Sequence, residues 1–207
     1  MKLLIGKYNK SVIVTYVGVI AALIGCYLAI VKSNARYAVL CLVIAGICDL
    51  FDGVFARMCK RNDEEKAFGV QIDSLADMVN FAFLPICICF CVGLNKWHHV
   101  IVLAVYMLAV IIRLGFFNIT VNGKSNEPVG HYRGLPVTYS ALILSFAWLL
   151  SLVLNHDLFI TIYNVIMILL SALFLINVKV AKPKGIFYVI FPLVAVALIF
   201  VLIFVKG

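Results

Sequence analysis

RYAVLCLVIAGICDLFDGVFARMCKRNDEEKAFGVQIDSLADMVNFAFLPICICFCVGL, residues 36–94, decides the fold. Two apolar segments flank a short charged stretch, and each carries a pair of aspartates, Asp49 with Asp52 and Asp73 with Asp77. An aspartate at the centre of a membrane helix costs about 2.5–3.5 kcal/mol to insert, while each Leu or Ile returns roughly 0.3–0.6 kcal/mol. Four such residues facing lipid would cost on the order of 10–14 kcal/mol. The acids must therefore face a hydrated or cation-filled interior, and intramembrane acids of that kind mark a functional site by default.

Spacing sharpens this reading. Asp49 and Asp52 stand i, i+3, and Asp73 and Asp77 stand i, i+4, so each pair lies on one helix face. The basic turn near 58–66 predicts an antiparallel hairpin that sets 49 level with 77 and 52 level with 73. Carboxylates so close repel one another unless cations neutralise them. Hard oxygen donors with no Cys or His cluster suit Mg²⁺ or Mn²⁺ rather than zinc. Two divalent ions bridging shared carboxylates can clamp a diphosphate. The alternative is a buried ion-pair network with Arg57, Arg113 or Lys66, although the four acids outnumber the nearby buried bases. Gly53, Ala56 and Gly69 share these faces; they either let helices pack closely or leave room for a nucleotide ring. Arg57 stands where it can reach a phosphate.

The rest of the chain agrees with a membrane setting. Of 207 residues, 65% are apolar and 13% charged, with a mean hydropathy of +1.15. Soluble domains are nearer about 45–50% apolar and about 25% charged. This balance excludes a soluble enzyme, a disordered chain and a nucleic-acid-binding domain, despite a net charge of +8. It predicts an all-α polytopic helix bundle, one integral-membrane domain over 1–207. Charge-free runs predict seven helices, at about 11–32, 36–59, 67–94, 97–117, 135–154, 158–178 and 185–205. The first is too long for a signal h-region and lacks an A-x-A exit, so it is expected to remain.

Basic residues set the orientation. With the N-terminus cytoplasmic, the inner segments hold 13 of the 17 Lys and Arg, leaving Lys32, Arg36, Lys96 and Lys206 outside. That bias predicts N-in, C-out. Asp49 then lies about ten residues from its helix end, roughly 15 Å deep at the helical rise, in the cytoplasmic half of the bilayer. The polar stretch 118–134, NITVNGKSNEPVGHYRG, is expected to be a cytoplasmic loop. The seven cysteines have no CxxC spacing and read as small buried apolar residues. His98, His99, His131 and His156 have no ligand spacing and receive no role.

Written out, the hairpin is Asp49-x2-Asp52-Gly53-x2-Ala56-Arg57-x11-Gly69-x3-Asp73-x3-Asp77. It resembles the signature of the CDP-alcohol phosphatidyltransferases, whose usual Arg-to-Gly gap is eight residues. The three extra residues are expected in the polar turn RNDEEKAF. The resemblance covers the first six predicted spans, with the seventh as an addition to a six-helix core. FGVQIDSLADMVNF looks like the third helix of the phosphatidylserine synthase branch. IRLGFFN resembles that branch's RLARFN at Arg113, Leu114, Phe117 and Asn118, and departs from it at Gly115 and Phe116. Tyr132, Gly134, Leu135 and Pro136 resemble its Y-x-GLP segment.

The resemblance implies that Asp49, Asp52, Asp73 and Asp77 hold two divalent cations. Asp49, Asp52, Gly53, Ala56, Arg57 and Gly69 would contact the nucleotide and diphosphate of CDP-diacylglycerol, and Asp77 would be the general base on the alcohol. The acceptor would be L-serine, with CMP released to the cytosol and the product left in the cell membrane. Serine's carboxylate needs a cation, and Arg113 is the best placed; Asn80, Asn118 and Arg133 are further acceptor candidates. A homodimer is also implied. Glycerol 3-phosphate or inositol as acceptor, and a cation transporter built on the same acids, are the competing readings.

Overall fold

A computed structural model describes residues 6, 9–122, 131–177, 179–181 and 187–204. The first charge-free run becomes α1 (Ile13–Ile30), entered through a 3₁₀ turn, Lys10–Val12, in which the Ser11 N–H donates to the Asn9 side chain. The buried face of α1 is a row of small residues, Gly18, Ala22, Gly25 and Ala29. Small side chains let helix backbones approach closely in an apolar medium, and α1 packs along α2 (Ala35–Met58). The Asn34 side chain caps α2 by accepting from the Tyr37 N–H.

The turn after α2 is shorter than the sequence predicts. α3 (Asp63–Met78) starts four residues before the expected 67, so only Arg61 and Asn62 of RNDEEKAF lie outside it. The cause is a capping box. Asn62 Oδ1 accepts from the Glu65 N–H at 2.8 Å, and Glu65 Oε2 accepts from the Asn62 N–H at 2.9 Å. Asp63, Glu64 and Glu65 in the first turn also face the positive end of the helix dipole. Most of the polar stretch RNDEEKAF within the Arg-to-Gly gap is therefore helix rather than loop.

The predicted third span, 67–94, is one rod with a defect. After α3 comes a π turn, Val79–Phe83, and then α4 (Leu84–Val92). Pro85 has no N–H for the carbonyl four residues back. That carbonyl belongs to Phe81, and Tyr106 Oη donates to it at 2.7 Å from the next helix. Gly93, at φ +110°, ends the rod.

α5 (Trp97–Asn122) runs past the expected end at 117, so residues 118–122 are helix and not loop. Residues 123–130 of the predicted loop lie outside the described residues. Beyond them a short antiparallel ribbon joins β1 (His131–Arg133) to β2 (Lys179–Ala181), a pairing that no alternating pattern in the sequence announces. α6 (Tyr139–Leu149) continues as a 3₁₀ turn, Leu150–Leu152, and is followed by α7 (His156–Leu175) and α8 (Phe187–Phe204).

Among the described residues, five helical spans are long and apolar enough to cross a membrane: Lys10–Ile30, Ala35–Met58, Asp63–Val92, Trp97–Ile119 and His156–Leu175. Tyr139–Leu152 and Phe191–Phe204 are shorter apolar helices. The chain is thus the all-α polytopic bundle that its composition predicts. Phe81, Tyr106, Tyr163 and Leu42 fill the core, and all seven cysteines are free, with Cys26, Cys41, Cys87 and Cys89 buried. Asn9 Nδ2 donates to the Lys60 carbonyl at 3.2 Å, so the chain enters α1 beside the end of α2. Arg36, at the start of α2, donates to the Leu202 and Ile203 carbonyls at the end of α8. α1 therefore begins at one face of the bundle and α8 ends at the other.

Candidate functional site

The hairpin of α2 and α3 brings the four aspartates together. Asp49, Asp52 and Asp73 each offer a carboxylate oxygen within 4.8 Å of the others. Asp77 lies within hydrogen-bonding reach of Asp49, and Asp73 within reach of Asp52. These are the level pairs that an antiparallel hairpin dictates. Asp52 is buried, while Asp49, Asp73 and Asp77 are half-buried.

The bases that would make an ion-pair network are engaged elsewhere. Arg57 Nε donates to the Gly53 carbonyl at 3.1 Å. Lys66 Nζ pairs with Asp63 at 2.9 Å, an exposed contact worth little. Arg113 is buried, and its guanidinium donates to the carbonyls of Leu135 at 3.1 Å and Gly134 at 3.4 Å. The donor set at the acids is thus hard carboxylate oxygen, which fits a divalent cation and not a soft metal.

Beside the acids opens a cavity of about 440 Å³ between α2, α6 and α8. Asp49, Gly53 and Arg57 line one wall; Pro136, Tyr139 and Phe191 line the other. Gly53 faces open space, with nothing within 4 Å of where a Cβ would stand. The Tyr139 and Phe191 rings meet edge to face, with centroids 5.3 Å apart. The cavity therefore offers one carboxylate and a guanidinium on one side and apolar surface on the other, a two-sided lining that suits an amphipathic molecule.

The remaining residues singled out in the sequence are spread more widely. Ala56 is half-buried on α2, and a Cβ at Gly69 would meet Arg61 Nη1 at 3.6 Å. Asn118 Oδ1 accepts from Ser74 Oγ at 2.7 Å, which ties α5 to the acid-bearing α3. Asn80 is buried in the π turn with its Oδ1 unpartnered. Arg113 is not among the residues lining the Asp49 cavity; it borders a second cavity of about 200 Å³ with Phe116 and Phe174. Arg133 lies in β1. Sequence reasoning missed Thr15, whose Oγ1 donates to Asp52 Oδ2 at 3.1 Å, and the Tyr139–Phe191 wall. A lone hydroxyl in an apolar helix was the available signal for the first. The second depends on how α8 folds back, which no local pattern fixes.

The model of one family, described as CDP-alcohol phosphatidyltransferase, matches residues 9–205. The chain belongs to the CDP-alcohol phosphatidyltransferase family. The matched residues extend through α8, so this phosphatidyltransferase match is not confined to the first six spans. Among its relatives is the CDP-diacylglycerol–serine O-phosphatidyltransferase of Saccharomyces cerevisiae, 34% identical over 51% of this chain and 40% of that protein. The enzyme of the same name from Helicobacter pylori is 31% identical over 57% of this chain and 49% of its own length. The archaetidylserine synthase of Methanothermobacter thermautotrophicus is 28% identical over 59% and 52%. The aligned part spans about half, or less, of each of these relatives.

Proposed function

We propose that this phosphatidyltransferase is a phosphatidylserine synthase, moving a phosphatidyl group from CDP-diacylglycerol to L-serine and releasing CMP. The observation that carries the reading is the meeting of Asp49, Asp52, Asp73 and Asp77 beside a cavity that also holds Gly53 and Arg57. The names of the relatives support serine as the acceptor.

In this reading the four aspartates bind two divalent cations, Mg²⁺ or Mn²⁺. When bound, such ions polarise the diphosphate and offset the charge that develops on departing CMP. The open side of Gly53 receives the nucleotide, with Ala56 and Gly69 on the same faces, and Arg57 meets a phosphate. The apolar wall accepts the lipid. Asp77 takes the proton of the serine hydroxyl. The serine oxygen then bonds to the phosphorus that carries diacylglycerol, the bond from that phosphorus to the CMP oxygen breaks, and the electron pair leaves with CMP.

Asn118, held next to α3 by Ser74, supports an acceptor site at the end of α5. Arg113, anchored on the carbonyls of Gly134 and Leu135, is assigned the serine carboxylate because a guanidinium matches a carboxylate in charge and shape. Asn80 and Arg133 are secondary candidates. The site faces the cytoplasm of a cell membrane, in keeping with the basic bias, and the protein acts as a homodimer. The test is to incubate purified protein with CDP-diacylglycerol and equal concentrations of serine, glycerol 3-phosphate and inositol, and to identify the lipid product by mass. Phosphatidylserine is expected; a phosphatidylglycerol phosphate or phosphatidylinositol product would reassign the acceptor.

A further inference from the structure

We infer that Thr15 on α1 is a positioning residue that fixes the Asp52 carboxylate for cation binding. This rests on the proposed reading of the aspartates as cation ligands. Thr15 is 6% exposed and Asp52 8% exposed, so the 3.1 Å bond from Thr15 Oγ1 to Asp52 Oδ2 is closed off from solvent. A threonine inside a helix commonly returns its hydroxyl to the carbonyl four residues back. Here it reaches across to another helix.

The approach of α1 makes that reach possible. One turn on, Gly18 lies so close that an added Cβ would stand 3.2 Å from Cys48 Cβ and 3.3 Å from Asn80 Nδ2. Only a close backbone approach brings so short a side chain to Asp52. The β-branched Thr15 also has few rotamers, so its hydroxyl is presented from a stiff support. A carboxylate bonded at one oxygen cannot swing freely about its terminal torsion. Its remaining lone pairs stay turned toward Asp49 and Asp73, whose oxygens share the 4.8 Å cluster. Hydrogen bonds behind a metal ligand are worth about 10–100-fold in metal affinity.

The test uses purified full-length protein in detergent, stripped with chelator, and Mn²⁺ alone. Bound Mn²⁺ is read from the loss of its free paramagnetic resonance signal, and melting is followed without metal in parallel. Wild type is expected to bind saturably. Thr15→Val, which keeps the shape and loses the donor, is expected to raise the half-saturating Mn²⁺ about tenfold, with Thr15→Ser within about threefold of wild type. If Thr15→Val does not fold, Thr15→Ala carries the same expectation. Equal Mn²⁺ affinity in wild type and Thr15→Val would overturn the inference. So would equal weakening in Val and Ser, or a melting change with no change in affinity, because each marks a packing role. No saturable binding by wild type would instead overturn the cation reading itself, and Thr15's role with it.

Discussion

An alanine at Gly53 and an alanine at Gly25 test different things. Nothing lies within 4 Å of a Cβ at Gly53, which lines the cavity. Gly53→Ala should leave melting unchanged or slightly raised, since Ala favours helix over Gly by about 1 kcal/mol. It should raise the KM for CDP-diacylglycerol roughly tenfold, the effect of about 1.4 kcal/mol of lost binding. At Gly25 a Cβ would stand 2.9 Å from Cys41 Cβ and 2.7 Å from Leu84 Cδ1. Leu84 can yield, but Cys41 Cβ is fixed to its backbone, so α1 and α2 must part. Gly25→Ala should lower stability by about 1–3 kcal/mol, as overpacking does, read as a drop in melting temperature. Arg113 joins both kinds of role, because its guanidinium holds Gly134 and Leu135 and is also proposed to meet the serine carboxylate. Arg113→Lys keeps the charge but loses the planar fork. It should raise the KM for serine more than that for CDP-diacylglycerol; a change confined to CDP-diacylglycerol would move Arg113 to the lipid side.

At the scale of elements, the acid-bearing hairpin was legible because two simple periods decide it. Aspartates spaced three and four apart share a face, and an antiparallel turn sets them level whatever its detailed length. That robustness is why a third helix starting at Asp63, not 67, leaves Asp49 beside Asp77. The defect within the third span was not legible. Pro85 signals a missing N–H, but whether a helix answers with a kink or a π turn depends on a partner outside it. Here the partner is the Tyr106 hydroxyl on α5, bonded to the Phe81 carbonyl. Tyr106→Phe removes that cross-helix bond to a buried carbonyl and should destabilise the protein by about 0.5–1.5 kcal/mol, measured by thermal melting in detergent. The β1–β2 ribbon was equally hidden. Its strands have three residues each and stand far apart in sequence, too short for any alternation to declare them. Thr15 escaped notice because its partner is 37 residues away on another helix.

For the whole molecule, the geometry and the charge pattern bear on different questions. The contacts of Asn9 with Lys60, and of Arg36 with the end of α8, place the start of α1 and the end of α8 at opposite faces. Which face meets the cytoplasm is read only from the 13-to-4 division of basic residues. Single cysteines at Asn62 and Asn95, in a background cleared of native cysteines, should label from opposite sides of sealed membranes, with Asn62 cytoplasmic. Labelling of both from one side would contradict the fold, and labelling of Asn62 from outside would contradict the orientation. One measurement reaches the membrane setting, the acid cluster and the transfer reaction together. Chelator-stripped protein in lipid nanodiscs containing CDP-diacylglycerol is given labelled serine and titrated with Mn²⁺, for wild type and for Asp73→Asn. Labelled phosphatidylserine and CMP are expected in equal amounts, rising saturably with Mn²⁺ in wild type and lower by more than about 100-fold in the variant, which lacks a carboxylate proposed to hold the ions. Phosphatidylserine formed without any divalent ion, or undiminished in Asp73→Asn, would contradict the cation reading.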